Sequence, residues 1–356
     1  MFNAKKPNSV VGLDIETGSI AATEVRGNGA RQVGGTAIAP LEPGVISDGE
    51  VQDSEALAAT LRGLFARNRL GKVVRLGVAN QRVVVRTIQL PLIEDEEELG
   101  TAIRFRAQDD IPMPLDEAVL DHRVISKGNG PEGEKQMQVV AVAARRDMVA
   151  SMLEAMRRAG LQAMGIDLSA LGMIRALDAD AARPATGHQD QLATTTLYCH
   201  LGDVTNLAVA RAGECLFSRV APFGIESIAR RLADRTGTPL VDAREFLVEV
   251  GLEDPIDLFG DTQDRASAAR DELDQGASKL VDELRLSIDF YGAQEGVPPI
   301  ERVVVCGPGS AVPGMPERIQ VGLGLGIEVE VPSALSHLTG EDAARLTVSY
   351  GLALEG

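Results

Sequence analysis

An α/β chain of two lobes is the fold class that this sequence predicts, and three observations carry it. A strand, a turn of small polar residues and a second strand run through Val10–Val25, and the pattern returns at Thr195–Ala210. A late apolar strand, Val303–Cys306, runs straight into Gly307-Pro308-Gly309-Ser310, as a buried parallel strand does when it ends at a turn. At 356 residues the chain also exceeds one ordinary core, so division into lobes is expected on size.

The first hairpin opens on Val10-Val11-Gly12-Leu13, carries Asp14 near the end of its first strand and holds Thr17-Gly18-Ser19 in its turn. Backbone N–H groups and hydroxyls in such a turn can cradle a phosphate. The same residues also serve as a plain hairpin turn. Gly29–Gly49 reads as loop with strand fragments, and Ser54 caps a helix whose Leu57, Leu61, Leu64 and Phe65 share one face. Strands follow near Arg75–Val78 and within Arg82–Pro91. The acidic run Glu94–Glu98 starts a solvated helix reaching about Asp110, its carboxylates favoured at the positive helix end.

Two strands, Ala118–Ile125 and Gln136–Ala144, flank a surface loop at Ser126–Gly133. A helix from Arg146 sets Met148, Met152 and Met156 on a core-facing stripe, and a strand at Leu161–Asp167 leads to a helix at Leu168–Leu177. Asp178–Gln191, rich in Ala, Asp, Pro and Gly, is the expected boundary between lobes. Past the second hairpin and a third strand at Cys215–Val220, a charged loop at Gly251–Ala266 precedes a long helix. Its Leu273, Ala277, Leu280, Leu284, Ile288 and Tyr291 form one apolar seam, and the last helix runs through Tyr350–Leu354.

With 44% hydrophobic and 24% charged residues the chain is globular, and its net charge of −17 argues against nucleic acid or anionic lipid as the main partner. No apolar run reaches the roughly 18 residues of a membrane helix, and no signal-peptide core follows Met1. A cytoplasmic protein without direct membrane insertion is expected. Cys199, Cys215 and Cys306 suit reduced, buried thiols, and the scattered cysteines and histidines have no metal-ligand spacing, so no metal site is expected.

Paired hairpins and a late Gly-rich turn resemble the actin-like ATPase superfamily. Within it the chain resembles the type IV pilus assembly PilM family, itself similar to the division protein FtsA. The resemblance spans nearly the whole chain and rests on Arg86-Thr87-Ile88-Gln89-Leu90-Pro91, Asp110-Ile111-Pro112, Val140-Ala141-Val142-Ala143, Leu286-Ser287-Ile288-Asp289-Phe290-Tyr291 and Gly351-Leu352-Ala353-Leu354. It implies duplicated RNase H-like lobes, the first formed by residues 1–80 and 159–190 and the second by 191–356, with the last helix packing back on the first lobe. A small α+β subdomain of the SHS2 type is implied as an insertion at 81–158.

The family sits on the cytoplasmic face of the inner membrane, binds ATP between its lobes and holds the N-terminal cytoplasmic segment of the bitopic membrane protein PilN. A scaffold role in a pilus, secretion or DNA-uptake platform is thus implied, with self-association as a further contact the resemblance allows. The candidate groove residues are Arg86, Leu90, Pro91, Arg104, Phe105, Ile111 and Pro112. The cofactor-binding candidates are Asp14, Thr17, Gly18, Ser19, Gly202, Asp203, Thr205, Gly307, Gly309 and Ser310.

Departures fall on each nucleotide element. Glu16 replaces a glycine and Ala21 a basic residue of the first hairpin, and His200 replaces the aspartate of the second. Ala243, Arg244 and Leu247 stand where the family has an Ala-Glu and Lys pattern, and Pro308 removes a backbone donor. A carboxylate beside a polyphosphate repels it. Mg-ATP binding that is weak or lost is therefore expected, with no catalytic residues and no turnover. The alternatives are an ATP-binding, polymerising FtsA-like protein and, behind it, a kinase of the same superfamily.

Overall fold

The computed structural model describes residues 8–27, 32–47, 49–129, 133–181, 194–294 and 296–354. Most of the expected lobe boundary, and Gly130, Pro131 and Glu132 of the expected surface loop, lie outside the described residues. The chain divides into two compact units, Met1–Ala79 with Met156–Gly356, and Asn80–Ala155.

In the larger unit the first strands are β1 (Ser9–Ile15), β2 (Ser19–Arg26), β3 (Gln32–Pro40), β4 (Ile46–Ser47) and β5 (Glu50–Val51), followed by α1 (Ser54–Asn68) and β6 (Val73–Val78). Val10, Val11 and Leu13 bury side chains from both faces of β1, as suits a strand held centrally between a parallel and an antiparallel neighbour. β3 is a nine-residue strand where the sequence reading expected loop and fragments. Gly34, Gly35, Ala37 and Ala39 leave it little apolar alternation, and its pairing with β2 from Ser19↔Pro40 to Arg26↔Gln32 supplies the order instead. Asp53, one residue before the expected Ser54, caps α1 by accepting from the N–H groups of Glu55 and Ala56. The expected apolar face of α1 is buried at Leu57, Leu61, Leu64 and Phe65.

The smaller unit contains β7 (Val84–Pro91), α2 (Glu96–Asp110), β8 (Ala118–Asn129) and β9 (Lys135–Arg145), and α3 (Arg146–Arg158) leads out of it. Its antiparallel sheet has the order β7-β9-β8. Alternation along the strands sends Ile88, Leu90, Met137, Val139 and Ala141 into one core with Leu99, Ile103 and Ala107 of α2. Asp95 caps α2 ahead of its acidic first turn, and Met148, Met152 and Met156 of α3 are buried.

The larger unit resumes with β10 (Gln162–Leu168) and α4 (Ser169–Ala181), then β11 (Thr195–Leu201), β12 (Thr205–Arg211) and β13 (Glu214–Ala221). Next come α5 (Ile225–Thr236), α6 (Leu240–Val250), α7 (Gln263–Gly292), β14 (Arg302–Cys306), α8 (Met315–Leu323), β15 (Ile327–Val329) and α9 (Gly340–Ala353). The charged segment expected as loop contains a 3-10 turn at Ile256–Thr262, and α7 begins before its expected start, with Ala266 already buried. Cys199 and Cys306 are buried and Cys215 is half-buried, all as free thiols.

The two five-stranded sheets of this unit repeat one topology. Their orders are β3-β2-β1-β6-β10 and β13-β12-β11-β14-β15, in each case three antiparallel strands followed by two parallel ones. α9 crosses β1 and α4 at close range. A Cβ on Gly12 would meet the Ser349 carbonyl oxygen at 1.9 Å, and one on Gly351 would meet that of Gly172 at 1.7 Å. The approach is made through glycine because no side chain fits there. Arg75 and Arg175 donate to the carbonyls of Leu352, Leu354 and Gly351 at the end of α9, satisfying groups that a helix terminus leaves open.

Candidate functional site

The turns of the two hairpins meet. Between Ile15 and Ile20 the first turn is closed by the Glu16 N–H donating to the Ser19 carbonyl at 2.9 Å. In the second, Gly202, Asp203 and Val204 connect Leu201 to Thr205. Each turn then donates to a carboxyl group of the other: the Gly18 N–H to Asp203 Oδ2 at 2.6 Å, and the Asp203 N–H to Glu16 Oε1 at 3.1 Å. Glu16 lies directly over Gly202, where a Cβ would stand 1.9 Å from its Oε1. Arg244 of α6 covers Gly18, its Nη2 2.4 Å from where a Cβ would be. Glu226, at the start of α5, holds that guanidinium through two 2.7 Å hydrogen bonds.

Burial dominates the electrostatics of the cluster. It raises Asp14 to about 6 against a hydrogen bond from Ser169, with Asp203 adding to the rise. It also raises Asp203 to about 6, Glu226 adding to the effect, and lifts Glu16 well above the usual carboxylate range with help from Asp203 and Asp14. His200 is pushed down to about 4 by burial and by Arg345, so it is neutral near pH 7. Its 4.0 Å separation from Glu16 is therefore not an ion pair there. His200 Nε2 and Asn206 Oδ1 are buried without hydrogen-bond partners. The cavity lined by Asp14, Glu16, Thr17, His200, Asp203 and Asn206 measures about 20 Å³, room for about one water molecule. Among the described residues no group of three or more His, Cys, Asp and Glu side chains is placed to hold a metal ion.

The other candidates from the sequence sit around this contact. Ser19 is half-buried. The Thr205 hydroxyl donates to the Phe223 carbonyl at 2.6 Å, and that of Ser310 to the Gly307 carbonyl at 2.7 Å. Gly307, at φ +86°, packs against His200, and Gly309 against Leu201. Sequence reading missed Glu226, Ser169 and Arg345. Their only signal is a polar side chain at a helix start or within an otherwise apolar helix face. In the smaller unit Leu90 and Ile111 belong to the core, whereas Arg86, Pro91, Arg104 and Pro112 are exposed and Phe105 is 73% exposed.

The family described as type IV pilus assembly protein PilM matches residues 12–356. The chain belongs to the PilM family. A solved structure described as a PilM-PilN type IV pilus biogenesis complex is 25% identical, covering 98% of both chains with a TM-score of 0.79. The ethanolamine utilization protein EutJ from Carboxydothermus hydrogenoformans is 15% identical over 98% of this chain and 91% of its own, with a TM-score of 0.52. MreB5 of Spiroplasma citri bound to ADP is 12% identical over 98% of this chain and 95% of its own, also with a TM-score of 0.52. The fold is thus the two-lobed actin-like one, and the two repeated sheets are the centres of its lobes.

For a PilM-family chain the implied cofactor is Mg-ATP between the lobes, and the turns can be tested for it. The amides of Gly18 and Asp203, which a phosphate loop would offer to its ligand, already donate to carboxyl groups. The hydroxyls of Thr205 and Ser310 are committed to backbone carbonyls. The carboxyl groups of Asp14, Glu16, Asp203 and Glu226 outnumber the cations Arg244 and Arg345 around the contact. As arranged here, these residues do not fit a triphosphate and its metal.

Proposed function

We propose that this PilM-family chain is a docking scaffold of a type IV pilus or related inner-membrane platform, with a cleft that binds Mg-ATP weakly or not at all. The observation that carries the cleft reading is the exchange of hydrogen bonds between Gly18, Asp203 and Glu16, which gives two phosphate-type turns carboxyl groups in place of a phosphate. Its partner would be a PilN-like bitopic membrane protein, held by its cytoplasmic N-terminal segment. Family membership and the likeness to a PilM-PilN complex support that partner. Among the described residues no helix is long and apolar enough to cross a membrane, so the partner is the proposed link to the membrane's cytoplasmic face.

In the smaller unit the exposed Phe105, next to Arg104 in α2, offers an apolar anchor beside a cation, and Arg86 and Pro91 of β7 and Pro112 are exposed as well. Such a surface suits a short extended peptide. Leu90 and Ile111 would shape it from behind as core residues. Calorimetry with Mg-ATP tests the cleft: wild type should give no micromolar binding, and Glu16→Gly combined with His200→Asp should gain it. Micromolar binding by wild type would sink the weak-site reading. Binding of a synthetic PilN N-terminal peptide tests the docking role, which fails if the intact chain retains none.

A further inference from the structure

The contact between the lobes at the hairpin turns is made of groups that carry protons. Glu16 and Asp203 each accept an amide of the opposite turn, so closing the cleft brings the Asp203 charge within reach of the Glu16 carboxyl. The groups facing them come from every neighbouring element: Asp14 from β1, His200 from β11, Glu226 from α5, Arg244 from α6 and Arg345 from α9. Both cations are already engaged, Arg244 by Glu226 at 2.7 Å and Arg345 by Glu341 at 3.2 Å. No cation lies between Glu16 and Asp203 among the described contacts.

We infer that this exchange is a proton-operated clamp on the lobes, holding them together while Glu16 keeps its proton and loosening when two adjacent carboxylates face each other. The inference rests on the proposed function only in taking the cleft as filled from within.

The sign follows from where each group holds its proton. Burial and the neighbouring carboxyls make the closed cleft bind the Glu16 proton more tightly than an open one, so rising pH favours opening. Asp14 and Asp203, raised to about 6, act in the same direction but complete their titration near that value. His200, lowered to about 4 from an ordinary 6.5, opposes them, since acid charges it more readily when the cleft is open. By about pH 7.5 the aspartates and His200 have all but finished titrating, and a slope that persists above it belongs to Glu16.

Amide hydrogen exchange of the intact chain, read by mass spectrometry on peptides spanning Gly18 and Asp203, tests this between pH 7.5 and 9. Protection is corrected for the intrinsic pH dependence of exchange. Wild-type protection should fall with pH, by up to about tenfold per unit for one proton released. Glu16→Gln keeps an acceptor for the Asp203 amide without a titrating group and should keep its protection at all these pH values. Asp203→Asn, which removes the facing charge and retains an acceptor for Gly18, should shift the fall to lower pH without abolishing it, because burial is the larger cause of the Glu16 rise. Flat wild-type protection, or a slope equally steep in Glu16→Gln, overturns the clamp. The same series with Mg-ATP separates the two readings: added protection from nucleotide counts against the weak-site proposal, while the pH slope alone decides the clamp.

Discussion

The first hairpin and the second hold equivalent places in equivalent sheets, yet their turns carry opposite equipment. Counting from the strand ends at Ile15 and Leu201, Asp14 corresponds to His200 and Glu16 to Gly202. The first turn begins with its carboxyl group, Glu16, which reaches across to the other turn. The second is a glycine followed by an aspartate, and it receives: Glu16 rests on Gly202, whose missing side chain makes the space. Where two such turns share a ligand, both present donors to it. Here the residue types have become complementary, and the turns present donors and acceptors to each other. A repeat in a fold therefore need not mean a shared ligand; what decides is whether the two copies still carry the same chemistry.

The largest effect expected from breaking this comparison comes from beneath the first hairpin, which α9 supports through glycine, whereas Tyr198 stands at the equivalent place in the second. Gly351→Ala would drive a methyl into the Gly172 carbonyl, and a loss of about 3 kcal/mol or more is expected, seen as a lower midpoint in calorimetric melting. An unchanged midpoint would show that α9 can shift freely. Next, Arg244→Ala uncovers Gly18 and leaves Glu226, which is 4% exposed, with only Arg230 at 3.4 Å. A loss of about 2 kcal/mol is expected in urea unfolding, below the full cost for a buried pair because Arg244 is partly exposed.

Glu16→Gly makes the first turn resemble the second. It should cost about 1 kcal/mol through the lost acceptor for the Asp203 amide, and raise Mg-ATP affinity in calorimetry. If affinity does not rise, Glu16 is not what separates this cleft from a nucleotide site. The smallest effect on stability lies outside both hairpins. Phe105→Ala, at a side chain 73% exposed, should change unfolding by less than about 0.5 kcal/mol while weakening a PilN peptide at least severalfold. Unchanged peptide binding would move the docking site elsewhere on the unit.

Local chemistry explains which parts were readable in the chain. β1 announces itself because a strand buried on both faces is largely apolar, whereas β11, also buried at all seven residues, carries Thr195, Thr196 and His200 and is recognised by repeating the strand-turn-strand pattern. β3 does not, because its glycines and alanines gain their order from β2 rather than from their own pattern. In the site, Asp14, Gly18, Gly202 and Asp203 were visible as turn chemistry within each hairpin. That Gly18 would donate to Asp203, 185 residues away, depends on the packing of one lobe against the other. The same holds for Arg244 over Gly18, while Ser169 reaches Asp14 from across the first lobe's own sheet, 155 residues away. Leu90 and Ile111 carried an apolar signal that fits a groove as well as a core, and the alternation of β7 sends Leu90 inward with Ile88.

The glycine crossing of α9 over β1 also sets an order in time. Thr23 of β2 shares a 2.8 Å hydrogen bond with Ser349 across 326 residues, and Gly12 waits for the backbone of the same helix. On a ribosome four of the first sheet's five strands precede the smaller unit and β10 follows it, but the covering helix emerges only after the second sheet. The earliest strands must therefore stay incompletely packed through most of synthesis, a long-range dependence of the kind that slows folding and lengthens exposure to aggregation. The segment that begins the chain's architecture is among the last to be finished.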